Sequence, residues 1–121
     1  MKPEIDSRGT KKWWVDRKLH RVDGPAIEFT NGTKKWLLNG KRHRTNGPAV
    51  EWEDGTKEWY INGEQHKTDG PAYESPNGNK EWWLNNIRYT EIEFYQELIR
   101  TTDDPNKINQ YKKQLIKVSL K

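Results

Sequence analysis

The chain contains no cysteine, a single methionine and only two phenylalanines among its 121 residues. Without cysteine there is no disulfide and no thiolate-ligated metal centre, and nothing points to an oxidising compartment. Long apolar runs are missing as well. No stretch approaches the roughly 20 apolar residues of a membrane span, and the opening MKPEIDSRG lacks the apolar core of a signal peptide. The expectation is a soluble protein of the cytoplasm. Apolar residues are scarce in general, at 31% against 33% charged, which excludes a thick core in a chain with room for one domain. Disorder is excluded in turn by seven tryptophans and 12% aromatic residues. A thin, extended fold, in which a few large side chains do most of the burying, reconciles the two.

What the sequence has is a repeat. Aligning GTKKWWVDRKLH, GTKKWLLNGKRH, GTKEWYINGEQH and GNKEWWLNNIRY sets Gly9, Gly32, Gly55 and Gly78 in register at a period of 23 residues, with no insertion. Trp13, Trp36, Trp59 and Trp82 coincide, as do His20, His43 and His66, while Tyr89 stands in the histidine position of the last unit. The expected organisation is a lead-in over 1–8, three and a half units (9–31, 32–54, 55–77, 78–89) and a tail over 90–121. Each unit reads as strand, turn, strand, turn. The first strand is of the type TKKWLL, ending in Asn-Gly, whose two residues reach the positive φ of a tight hairpin. Asp16 with Arg17, and Asn85 with Asn86, spoil that signal in the end units. The second strand is of the type PAVEW, beginning at Pro25, Pro48 or Pro71.

These units resemble the MORN family of short hairpin repeats, with GTKKWLLNGKRH and its copies carrying the likeness across residues 9–89. The form W-x-x-N-G-x-x-H-R-x-D-G-P-A-x-E is similar to the bacterial and phage branch of that family. The resemblance implies an elongated, twisted sheet and a binding role; it implies no reaction. The tail changes character at Thr90. Thr90 and Glu93 form a capping box, Ile92, Tyr95 and Ile99 share a helical face flanked by Phe94 and Leu98, and Asp104 with Pro105 starts a second helix carrying Ile108, Tyr111, Leu115 and Val118. The fold class is therefore mainly β: a single-layer antiparallel sheet of hairpin repeats, covered at its end by a C-terminal α-helical hairpin.

The nonapeptide HRTNGPAVE and its copies HRVDGPAIE and HKTDGPAYE are the candidate functional motif. A metal site is not expected, because equivalent residues two strands apart lie roughly 10 Å from one another and three histidines so spaced cannot share an ion. Nor is catalysis, since no serine is repeated and an active site is one asymmetric constellation, whereas these residues recur in every unit. No cofactor is called for. As architecture, Gly24, Gly47 and Gly70 allow a tight turn, Asp23, Asn46 and Asp69 bond their own backbone, Arg21 and Arg44 pair with Glu28 and Glu51, and each histidine bonds a turn carbonyl. The repeated tryptophans read as a core ladder.

Function is expected where the units differ. Residues 9–31 and 32–54 each carry five basic and three acidic side chains, whereas 55–77 carry two and four. Arg17, Lys18, His20 and Arg21 of the first unit, with Trp36, Lys41, Arg42, His43 and Arg44 of the second, are the candidate binding residues, forming a basic and aromatic edge that steers anionic partners. The expected partner is a protein, such as a host factor blocked by the module. The alternatives are an anionic, nucleotide-like ligand held between units or protomers, and an enzyme using the repeated histidine on such a nucleotide. The acidic third unit interrupts any extended nucleic-acid track, and there is no polybasic cluster dense enough for a membrane surface. Edge strands at the first unit leave homodimerisation open.

Overall fold

Each repeat is organised by its first tryptophan. In the computed structural model, which describes residues 1–121, the Trp36 amide donates to the Ala49 carbonyl (2.7 Å) and the Trp36 carbonyl accepts from the His43 amide (3.0 Å). The chain thus leaves one ladder and enters another at this residue, and Trp13 and Trp59 do the same with Ala26 and His20, and with Ala72 and His66. The single strand expected for TKKWLL is therefore two.

The first unit contains β2 (Lys11–Lys12), β3 (Trp14–Val15), β4 (Lys18–Leu19) and β5 (Ile27–Glu28), preceded by β1 (Glu4–Ile5). The second contains β6 (Lys34–Lys35), β7 (Leu37–Leu38), β8 (Lys41–Arg42) and β9 (Val50–Glu51); the third β10 (Lys57–Glu58), β11 (Tyr60–Ile61), β12 (Glu64–Gln65) and β13 (Tyr73–Glu74). In the last unit the break heals into β14 (Lys80–Leu84), followed by β15 (Ile87–Tyr89). An open nine-stranded antiparallel sheet runs β1-β2-β5-β6-β9-β10-β13-β14-β15, and β3–β4, β7–β8 and β11–β12 form three separate hairpins. The PAVEW segment pairs with the sheet, not with the Asn-Gly hairpin: Val50 and Glu51 face Lys35 and Lys34 on one side and Glu58 and Lys57 on the other.

The turns are more uniform than the sequence suggests. Asn39, Gly40, Asn62 and Gly63 all have positive φ, but so do Asp16 (50°), Arg17 (65°), Asn85 (50°) and Asn86 (68°). The end units keep the same mirror-image turn without its glycine, because the two-residue connection between paired strands (Val15 opposite Lys18, Leu84 opposite Ile87) imposes it. At the opposite end of each unit, Asn31, Asp54 and Asn77 accept from the amide two residues on, and Gly32, Gly55 and Gly78 take the positive φ that follows.

The core is thin, with 16 of 121 residues buried. Within the repeats it is built from small side chains, Ala26, Ala49 and Ala72 and Thr10, Thr33 and Thr56, joined by Ile27, Val50 and Leu37. Trp13 is buried while Trp36, Trp59 and Trp82 are half-buried, so the tryptophans flank the core more than they fill it. The largest apolar cluster lies where α1 (Glu91–Thr101) meets the last unit: Phe94, Tyr95 and Leu98 close over Leu84, with Trp82 and Tyr89 alongside. Thr90 caps α1 through the reciprocal Thr90–Glu93 box, and Asp104 with Pro105 opens α2 (Pro105–Ser119). Ile92 is exposed while Tyr95 of the same face is buried, so the buried face of α1 centres on Phe94, Tyr95 and Leu98. Tyr111, Leu115 and Val118 lay α2 against that cluster. No helix is long and apolar enough to cross a membrane.

Candidate functional site: the clefts between nonapeptide loops

The nonapeptide folds around its own cation. The Arg44 guanidinium lies 3.8 Å from the centre of the Trp36 ring. Its Nε donates to Asn46 Oδ1 (3.2 Å), and Nη1 donates to the Pro48 carbonyl (3.0 Å) and to Glu51 Oε2 (2.9 Å). Arg21 repeats this over Trp13 at 3.9 Å, with Asp23 at 3.0 Å, the Pro25 carbonyl at 3.2 Å and Glu28 at 3.6 Å. The hydrogen bond from Arg21 holds the Asp23 carboxyl below its ordinary range. In the third unit Lys67 takes the place, 3.8 Å over Trp59 and 4.0 Å from Asp69. The pairing of Arg21 and Arg44 with Glu28 and Glu51 is as the sequence suggested. The role of the glycine is not. Gly24 and Gly47 are absent from the positive-φ residues; a Cβ on either would stand 2.8 Å from the guanidinium carbon. A Cβ there would press on the end of the arginine side chain and shift it from its place over the indole.

The histidines join unit to unit, and they do so by accepting. His20 Nδ1 receives the Asn39 amide (2.9 Å), His43 Nδ1 the Asn62 amide (3.0 Å) and His66 Nδ1 the Asn85 amide (3.0 Å). The expected bond to a turn carbonyl is thus reversed: the ring must be neutral at Nδ1, with its proton on Nε2. Two main-chain bonds accompany each imidazole. Gly40, Gly63 and Asn86 donate to the carbonyls of Leu19, Arg42 and Gln65, and Arg21, Arg44 and Lys67 donate to those of Leu37, Tyr60 and Trp83. Burial pushes the pKa of His66 down, against a smaller upward pull from Glu64.

Successive loops, held this way, enclose successive clefts. One of about 590 Å³ separates units one and two, with Trp36, Leu38 and His43 beside the Arg21 and Arg44 stacks and exposed Val22 and Thr45 among its lining. Its counterpart one unit on measures about 540 Å³ around Trp59, Ile61 and His66. A smaller cleft of about 280 Å³ lies against Trp13, His20 and Met1. No three His, Asp or Glu side chains converge as a metal-binding group would.

Of the nine candidate residues, Arg21, Trp36, His43 and Arg44 meet in the first cleft, and His20 shares the smallest one with Arg21. The other four are exposed on the hairpins, outside the lining of these two clefts. Lys18 and Lys41 stack in a column against the Gly40 and Gly63 of the following turns. Arg17 sits in the first turn. Arg42 neighbours Lys41 in β8, so pleating turns it to the other side, where its guanidinium is 5.3 Å from the Tyr60 ring.

That other side carries a cluster the sequence reading passed over. Lys35 stands 5.5 Å from the Phe29 ring and 5.1 Å from that of Trp52, and Glu58 accepts from both the Trp52 indole and the Tyr60 hydroxyl. Burial, with help from nearby Arg42, lowers the Lys35 pKa. The signal was the switch from Lys12 and Lys35 to Glu58 and Glu81 at one repeat position, but only the sheet order puts Lys35 and Glu58 on either side of Val50.

Comparison with protein-family models, with characterised proteins and with solved structures gives no match.

Proposed function

We propose that the chain is a MORN-like, non-catalytic binding module that engages a protein partner along the clefts of its first two units. The observation that carries this reading is the commitment of the polar side chains around the clefts. Arg21 and Arg44 are stacked and bonded within their own loops, and each histidine has spent Nδ1 on the next unit. Such groups give rigid walls, which favours recognition because little ordering remains to be done on binding. The same commitment disfavours a nucleotide-like ligand, since Asp23, Glu28 and Glu51 already answer the guanidinium charge.

The test blocks the first cleft at its exposed rim with Thr45→Trp and compares capture from bacterial lysate by the two proteins. A partner held stoichiometrically by the parent chain and lost from the variant is the expected result. Equal capture by both would place binding elsewhere. Conversion of added nucleotides to product by the parent chain would make the protein an enzyme and end the proposal.

A further inference from the structure

Every hairpin except the first is held by the unit before it. Asn39, Asn62 and Asn85 give their amides to a histidine, the next residue gives its amide to a carbonyl, and the carbonyls of Leu37, Tyr60 and Trp83 receive an amide. The corresponding groups of the first hairpin are the amides of Asp16 and Arg17 and the carbonyl of Trp14, and none has a partner of this kind. Residues 1–8 do not supply one: Glu4 and Ile5 pair with the sheet as β1, an edge strand bonded on one side only, and no main-chain bond joins this segment to Trp14, Asp16 or Arg17. Apolar surface is left open at the same end: Trp14 is 41% exposed where its counterpart Leu37 is 8%, and Ile5 is 59% exposed.

We infer that this end of the stack takes up an extended, acidic strand from another protein by main-chain pairing. Charge selects the occupant. Residues 1–19 carry six basic and three acidic side chains, so a second copy would bring the same net positive end against this one, whereas an acidic strand complements it. Within the chain this place on the second, third and fourth hairpins is filled by Lys18–Leu19, Lys41–Arg42 and Glu64–Gln65, each followed by a histidine, and only the last of the three carries a carboxylate. In the third unit Glu64 and Gln65 of β12, followed by His66, fill this place on the fourth hairpin, with the Gln65 carbonyl and His66 Nδ1 accepting from Asn86 and Asn85. An acceptor-bearing strand with a carboxylate facing Arg17 and Lys18 meets the same requirement at the open end.

The probe is a synthetic peptide of residues 55–77, which carries two basic and four acidic side chains, added to the full chain and followed by residue-resolved amide exchange. In the free protein the Asp16 and Arg17 amides should exchange rapidly while those of Asn62 and Gly63 are protected. Excess peptide should slow the first pair by about tenfold or more. Arg17→Glu with Lys18→Glu should weaken peptide binding by about tenfold, chiefly through slower association. The proposal is overturned if Asp16 and Arg17 are already protected at high dilution, or if peptide leaves them unchanged. Protection that rises with protein concentration alone would also overturn it, and would assign the end to a second copy.

Discussion

At the scale of single residues, the nonapeptide is a set of demands made by one half-buried cation. An aromatic face, a carboxylate or amide for Nε, a proline carbonyl and glutamate for Nη1, and a residue without Cβ are all needed at once. Gly47→Ala should therefore destabilise the protein by about 1–3 kcal/mol through overpacking against Arg44, while Gly70→Ala, whose nearest neighbour is the Lys67 Nζ at 3.6 Å, should change stability by less than about 0.5 kcal/mol. Urea unfolding of the two variants decides this, and equal losses would mean that turn conformation governs the position after all. A second test concerns Arg17, which holds φ 65° where the second and third units have glycine. Arg17→Gly should raise stability by about 1 kcal/mol, the order of the cost of the left-handed conformation for a side-chain-bearing residue; a lower melting temperature would show that the side chain contributes more than its strain removes.

At the scale of elements, the cap supplies the largest apolar contact. Phe94 is fully buried against Leu84, Tyr95 and Leu98, and Phe94→Ala should cost about 3–5 kcal/mol. The loss should appear first as melting of α1 and α2 by circular dichroism at 222 nm, and a variant with unchanged helical signal and midpoint would contradict the assignment. This part of the fold was legible from local chemistry, because Thr90–Glu93 and Asp104–Pro105 act within a few residues of themselves. The period, the Asn-Gly turns and the Arg–Glu pairs were legible too, since repetition shows which residues a unit requires. What the sequence did not disclose was pairing at a distance: that Trp36 divides its strand, that Gly47 answers to Arg44, and that His43 serves the next unit's Asn62. Each is a contact whose second partner is chosen by topology, and the Lys35–Glu58 cluster stayed hidden for the same reason.

At the scale of the whole molecule, units are joined through imidazoles that accept the next unit's amide at Nδ1. The pKa of His66 is lowered in the folded state, so the neutral form is favoured by folding. Its contribution is complete above the unfolded value near 6.5 and is lost as pH falls from there through the lowered folded value. The urea midpoint should accordingly drop between pH 7 and pH 5, and His66→Gln should flatten that dependence; a variant as acid-sensitive as the parent would exclude this residue as a source. One other feature spans the molecule. Across the sheet the directly opposed residues run Lys11, Glu28, Lys34, Glu51, Lys57, Glu74, Lys80. Any 23-residue unit begins this row with lysine and leaves it with glutamate, so a unit duplicated or deleted between two others restores the alternation without a mismatched pair. Length is thereby left free for evolution to adjust, one whole unit at a time.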